Sequence, residues 1–462
     1  MALSKLWVGL LLSTVAISPA LAKVSPDEAK RLGGPILTEF GAEKAGNADG
    51  SIPAYTGGLS GTPAGIGPIT AFLPDPYASD KVILTIDAKN VSQYENQLTP
   101  GTVALIKKYP TFQVEVYPTH RSAYYPRWIL NNTAKNAVTA ELVGKVEGDG
   151  VEGAYGGIPF PIPQSGAELL WNNVLRWQGT YTNFYNSAGI FVDANGHRTL
   201  TDAADTEEAY LYYDKTKTKL ATEGVQQLSV NRVHAPASQD GGIVIIHYPI
   251  NYADYDQAIY TYTVGQRRIR LAPEFKYDTP VASSAGAFVY DEIDMWEGRP
   301  DRFDFKILGK KEIYVPYNDY KINQPGVSEA DVFQPHNLNS HLVRWEKHRV
   351  WVLQSTLKPG KRHIYSRRTF YIDEDSWAIL ASDAYDRAGN LYRVGYDLSI
   401  PDYNAPDPFI FGTSFAFYNL DQGTYFWQGY FGSPYNGKLV ASDVIPSLGR
   451  FSPENVAGTG IR

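Results

Sequence analysis

The chain has 462 residues, of which 43% are hydrophobic, 13% aromatic and 20% charged, a balance that supports a sizeable core and excludes a disordered or collagen-like chain. Lysine and arginine number 42 against 49 aspartate and glutamate, a formal charge of -7, so nothing indicates a basic surface for nucleic acid. There is no cysteine, which excludes disulfides, thiolate catalysis, iron–sulfur clusters and cysteine-based zinc sites.

Residues 1–22 read as a secretory signal. Lys5 gives the positive start, Leu6 to Ile17 an apolar run too short to span a bilayer, Pro19 a helix stop, and Ala20-Leu21-Ala22 the small-residue cleavage pattern. Cleavage after Ala22 predicts a periplasmic protein, with residues 23–462 as one large β-rich domain. An outer-membrane barrel is the alternative for an aromatic-rich, glycine-rich chain. Arginines within its strand-like runs (Arg267, Arg268 and Arg270; Arg362, Arg367 and Arg368) break the clean lipid-facing alternation it needs.

Within 23–180 the expectation is an irregular segment plus helices. Ser25, Pro26 and Glu28 form a capping box that starts a short helix, stopped by Gly33-Gly34. Residues 40–68 hold many Gly, Pro, Asn and Asp and no usable period, and are predicted to run irregularly over the surface. Further helices are predicted from Thr99 and Pro100 to Tyr109, from about Trp128 to Val143, and from Ser165 to Trp177. In the last, Ser165 and Glu168 cap while Leu170, Trp171, Val174 and Leu175 recur at helical spacing.

Residues 181–462 change to strand patterns. Asn195-Gly196 signals a tight hairpin. Residues 349–400 read as a four-run meander turning at 358–361, 373–376 and 386–390. Its last run alternates Tyr392, Val394, Tyr396, Leu398 and Ile400 with Arg393, Gly395, Asp397 and Ser399, so one apolar face is predicted to lie under the helices of the first half.

Five segments in order, LTEFGAEKAGNADGSIPAYTGG, GGIPFPIP with ELLWNN, GQRRIRLAPEFKYDTP, PDRFDFKILGKKEIYVPYN and HRVWVLQSTLKPGKRHIYSRRTFYIDEDSW, resemble the proteobacterial family called domain of unknown function 1329. That family is compared with outer-membrane lipoprotein-sorting proteins, and the stretch YIDEDSWAILASDAYDRAGNLYRV is similar to the strand and turn pattern of Lol-type carriers. The resemblance implies an α+β fold, mainly antiparallel β: a large curved half-open β-barrel with helices covering the concave face and an apolar cavity for acyl chains. It also implies a periplasmic setting beside resistance-nodulation-division exporters and an outer-membrane protein. It brings no catalytic residue, cofactor or metal, and the chain is more than twice the size of a dedicated Lol carrier.

No phosphate loop, zinc-protease helix or nucleophile elbow is present. His336 and His341, five apart, and His348 and His363, at or near the start of neighbouring strands, are candidates for a metal or a base, against solvated histidines, since no spacing repeats a known ligand pattern. Asp373-Glu374-Asp375 and Asp291-Glu292 with Asp294 are candidates for calcium or paired carboxylates, against acidic turns that lack a calcium loop's spacing, and the glycine-flanked Glu147, Asp149 and Glu152 read as a loop. Arg267, Arg268, Arg270, Lys310 and Lys311 are candidates for docking an anionic head group or partner, against cross-strand ion pairing. Trp171, Trp296, Tyr314, Tyr317, Trp351, Tyr392, Tyr396, Phe415 and Phe417 are candidates for lining a ligand cavity, against plain sheet packing. The functional expectation is a carrier or adaptor for a lipid, acyl chain or sterol-like molecule. An envelope hydrolase acting on a lipid or polyester, recognisable by a His, an Asp and a Ser in one cleft, and a partner protein without a ligand remain open beside it.

Overall fold

The computed structural model describes residues 24–69, 72–220, 224–265, 268–412 and 414–457. The expected signal segment and Arg267 lie outside them. No helix among the described residues is long and apolar enough to cross a membrane.

The capping residues act as the sequence indicates. The Ser25 hydroxyl accepts the Glu28 amide and starts α1 (Pro26–Ala29), and Thr99 accepts the Thr102 amide at 3.0 Å to start α2 (Pro100–Lys108). Ser165 accepts the Glu168 amide and starts α4 (Gly166–Val174). Between them, α3 (Arg127–Thr139) ends earlier than predicted. Ala140 turns extended, and Glu141–Val143 pairs antiparallel with Gly150–Glu152, so the glycine-flanked acidic loop is a hairpin. The 40–68 segment is likewise less superficial than its composition suggests: Phe40, Ala42 and Ile52 are buried. Arg121 anchors it by donating to the Glu43 carbonyl at 2.7 Å.

Among the described residues sixteen strands form one sheet. They are β1 (Leu84–Ile86), β2 (Val114–Val116), β3 (Tyr181–Val192), β4 (Arg198–Ala209), β5 (Val225–Ala235), β6 (Ile243–Pro249), β7 (Ala258–Thr263) and β8 (Arg268–Leu271), then β9 (Phe303–Pro316), β10 (Trp345–Leu357), β11 (Arg367–Asp373), β12 (Ile379–Tyr385), β13 (Leu391–Asp397), β14 (Phe415–Asn419), β15 (Thr424–Tyr430) and β16 (Lys438–Ser442). The main path runs β1-β2-β10-β11-β12-β13-β14-β15-β3-β4-β5-β6-β7-β8, with β9 also on β10 and β16 also on β3. All these pairings are antiparallel except a parallel bridge between Trp345 and Val116. The outer strands β1 and β8 do not pair with each other, so the sheet is open rather than a closed barrel. Two short strands, β1 and β2, come from the half read as helical and irregular.

The meander is β10 to β13, with the turns where the sequence places them. The Asn195-Gly196 hairpin is wider than a two-residue turn. Asp193 and His197 close it through a 3.0 Å backbone hydrogen bond, and Gly196 takes the left-handed φ of 83° that favours glycine.

The expected single buried face is corrected to two. Val394 and Tyr396 do lie under α2, where the Tyr396 and Thr102 hydroxyls are 2.7 Å apart. Yet Arg393, Asp397 and Ser399, predicted to face water, are only 3%, 1% and 1% exposed. Their face is covered by the irregular chain between β8 and β9, because Arg393 finds a buried carboxylate there, Glu292, at 2.5 Å. Polar alternation therefore marks a buried face here, ion-paired at Arg393, not a solvated one.

Candidate functional site

A cavity of about 180 Å³ lies between strands β3 to β6 and the roof formed by residues 281–294. Its apolar wall comes from Phe184, Val244, Ile246, Val281, Phe288, Ile293 and Phe415. Its polar floor comes from Ser187, Asp202, Thr206, Glu208, Ser229, Asn231 and Gln428. Period-two alternation decides which side chains of each strand reach the cavity. On β5, Ser229 and Asn231 face the cavity, while Leu228 and Val230 pack on the other face with Phe451 and Val456. On β6, Ile243 and Ile245 join that second cluster while Val244 and Ile246 face the cavity. The continuous apolar run of the sequence at 243–246 is thus a strand buried on both sides.

The roof is irregular backbone held by side chains. Ala285, Asp294 and Met295 adopt left-handed φ of 56°, 48° and 68°, conformations that persist only where the surroundings enforce them. Two buried ion pairs pin it to the meander. Asp291 accepts from both terminal nitrogens of Arg368 at 3.0 Å and meets His363 Nε2 at 3.0 Å. Glu292 accepts from Arg393 and, at 2.5 Å, from the Tyr365 hydroxyl. Phe288 adds an apolar pin, its ring centroid 5.4 Å from Phe415, 6.2 Å from Phe417 and 5.0 Å from Phe426. Burial opposes the Asp291 charge, but Arg368 and His363 hold its pKa well below the usual carboxylate range.

At the other end of the roof the acids lack such cations. Burial and the neighbouring Asp294 raise the Glu208 pKa, and burial raises that of Asp294. Glu297, bonded to Gln257 and Tyr248, is pushed up to about 8 by burial first and the Asp294 charge second.

The aromatic candidates are spread over the core. Phe415 lines the cavity and Phe417 packs on its roof. Tyr396 lines only a void of about 10 Å³ that it shares with Phe112, Trp345 and Tyr418. Trp171 donates to the Gly148 carbonyl from α4, and Trp296 packs against Phe303, Phe305 and Phe370 beside the guanidinium of Arg368. Tyr314 is buried on β9, Tyr317 stacks on His348 at 3.9 Å, Trp351 lies under the Lys310 ammonium, and Tyr392 is half-buried beside Tyr365. Among the basic candidates, Lys310 pairs with Glu43 at 3.0 Å and Glu374 at 2.7 Å, and Arg270 with Glu274 at 2.9 Å. Arg268 and Lys311 are exposed.

Asp373-Glu374-Asp375 is not a solvated turn, since all three carboxylates are at most 2% exposed. Arg121 engages Asp375 at 2.7 and 2.6 Å, and Arg349 engages Glu374 at 2.7 Å. His348, Asp373 and Asp375 come close enough to hold a metal ion. Their charges are already matched, however: bonding to Asp373 and Glu346 outweighs burial and raises the His348 pKa to about 9, so the ring carries a proton. Ser376 donates to Asp373 at 2.8 Å, which puts the carboxylate between hydroxyl and imidazole. A nucleophilic triad needs the imidazole in the middle, and these groups are shut away from solvent. His336 and His341 have separate partners, the Gly423 carbonyl and Glu115.

Sequence reading missed the roof and its anchors, Phe288, Arg368 and Arg393, because their partners are distant in the chain. It also passed over Asp202, Thr206 and Glu208, although their even spacing places them on one face of a strand.

Residues 85–456 match the family described as Protein of unknown function (DUF1329), and the chain belongs to that family. It is 41% identical over 408 residues to an uncharacterized protein of Pseudomonas aeruginosa, covering 86% of this chain and 88% of that one. Among solved structures it is similar to a DUF1329 family protein from Desulfovibrio piger, with 14% identity and a TM-score of 0.42 over 63% of this chain and 97% of that chain. It is also similar to a putative outer membrane lipoprotein-sorting protein domain from Vibrio parahaemolyticus, with 14% identity and a TM-score of 0.42 over 63% and 98%. Likenesses this distant leave the geometry of the cavity as the ground for a functional reading.

Proposed function

We propose that the protein is a periplasmic carrier or adaptor that holds a hydrophobic ligand beneath residues 281–294. The observation that carries this reading is a mostly apolar cavity between an open sheet and an irregular roof fastened by a few discrete contacts. Burying alkyl surface supplies affinity at ~0.8 kcal/mol per CH₂, and no covalent step is required. At about 180 Å³ the cavity is smaller than the roughly 300–1,000 Å³ typical of small-molecule sites, so a long chain enters as the roof lifts. The lid is the roof segment, not the helices of the first half. The periplasmic address rests on the signal pattern of residues 1–22, and the exposed Arg268 and Lys311 are offered as contacts for an anionic head group or an envelope partner, such as an exporter or an outer-membrane protein. Native mass spectrometry of gently purified protein tests the reading. Co-purifying lipid-like mass in a one-to-one complex is expected; a protein that is empty and takes up no added amphiphile overturns it.

A further inference from the structure

The ionisable groups of the cavity are of one sign. Asp202, Glu208 and Asp294 line it, and no lysine, arginine or histidine does so among the described residues. The contrast with the meander end of the roof is informative, for there each buried acid has its arginine: Asp291 has Arg368 and Glu292 has Arg393. Among the described residues, Glu208, 4% exposed at the cavity, accepts only from the Tyr210 hydroxyl, and Asp294 Oδ1 has no hydrogen-bond partner. Asp202 is met by the neutral dipoles of Thr201 and Gln428. Arg176 is the one cation that lowers the Glu208 and Asp294 pKa values; it is 5% exposed, donates to the Asn173 carbonyl at 2.8 Å, makes no ion pair with either carboxyl among the described residues and does not line the cavity, so a single guanidinium stands behind two raised carboxyls.

Ser187 and Ser229 line the cavity and make no side-chain hydrogen bond among the described residues, so their hydroxyls are open to whatever occupies it. A buried carboxyl without a cation either keeps a proton or needs a positive partner, and a buried hydroxyl favours a partner of its own. An ammonium group supplies three donors and the absent charge. A carboxylate or phosphate in the same place would meet three acids and no base in the lining.

Resting on the carrier reading above, we infer that the ligand is an amphiphile with a cationic amine at its polar end, bound by Glu208 and Asp294 with its alkyl or ring portion against Phe288, Ile246 and Phe415. The amine replaces the arginine that the other buried acids of the roof possess.

Displacement of the neutral fluorophore N-phenyl-1-naphthylamine from the full-length purified protein at neutral pH, by dodecylamine, 1-dodecanol and dodecanoate, tests this, because the three share one alkyl chain. Dodecylamine is expected to bind about tenfold more tightly than dodecanol, and dodecanoate about tenfold more weakly. The near-isosteric double change Glu208→Gln with Asp294→Asn is expected to collapse the amine-to-alcohol ratio to about one. Dodecanoate binding as well as dodecylamine, or a double variant that keeps the amine preference, overturns the inference. If the variant does not fold, the ranking by the unaltered protein decides alone. Dodecanol binding without any amine preference defeats this inference and leaves the carrier reading standing, whereas no binding of any of the three defeats the carrier reading itself.

Discussion

Changing Asp291 to asparagine strands the Arg368 guanidinium under the roof. Asp291, Arg368 and His363 are all buried, and the carboxylate accepts three contacts of 3.0 Å from the other two. Removing one partner of such a pair costs ~3–5 kcal/mol, mainly through the charge left behind. Here the cation also lies 4.4 Å from the Trp296 ring centre and 4.8 Å from that of Phe303. Desolvated cation–π contacts of this kind are worth ~2 kcal/mol and survive the change, so the lower end, ~3 kcal/mol, is expected for Asp291→Asn. Replacing both partners with apolar residues, Asp291→Leu with Arg368→Met, should cost clearly less than the single change, because no unpaired guanidinium remains and only the buried His363 Nε2–H loses its acceptor. Urea unfolding gives these differences from midpoint and slope. Amide exchange then shows where the loss falls: residues 281–295 should lose protection in Asp291→Asn while β10 to β13 keep theirs. A cost below ~1 kcal/mol, or equal destabilisation by the single and double changes, would show that this pair does not pin the roof.

Three more perturbations bear on the same account. Phe288→Ala removes the ring between Phe415, Phe417 and Phe426; it should cost ~3–5 kcal/mol of global or local stability, read by urea unfolding, and widen the cavity so that a bulky neutral probe binds more tightly. Arg121→Gln breaks the bidentate contact with Asp375 and the tie to the Glu43 carbonyl, and should cost ~3–5 kcal/mol while exposing residues 40–58 to limited proteolysis. Glu297 at about 8 and His348 at about 9 both hold in the folded state a proton that the unfolded chain releases near pH 4.5 and 6.5. Their contributions are therefore lost as pH rises toward 8 and 9 respectively. The urea midpoint should fall between pH 6 and pH 9, and Glu297→Gln should flatten part of that fall; an unchanged slope would remove Glu297 from the explanation.

Local chemistry was legible in the sequence and long-range chemistry was not. Ser25, Thr99 and Ser165 cap helices because a hydroxyl three residues before an amide needs no tertiary partner. The meander turns are equally local. Arg393 and Asp397 misled because strand alternation distinguishes the two faces of a sheet but does not say what covers each; only the fold brings Glu292 over Arg393. The cavity stayed hidden for a related reason. Its floor is built from Ser, Thr, Asp and Glu on β4 and β5, a composition that reads as a solvated strand until residues 281–294 are laid across it. Of the nine aromatic candidates, only Phe415 lines the cavity, because a large aromatic core offers many rings and few of them border empty space.

The central claim is that the space beneath residues 281–294 takes a hydrophobic ligand. Fluorescence titration of the full-length protein with N-phenyl-1-naphthylamine, repeated on Ser229→Trp, tests it most directly, because the indole would fill a cavity of about 180 Å³ from its floor. One saturable site that is lost in Ser229→Trp, with the urea midpoint of the variant kept close to the parent's, is the predicted result. No binding by the parent protein, or equal binding by both, would contradict it.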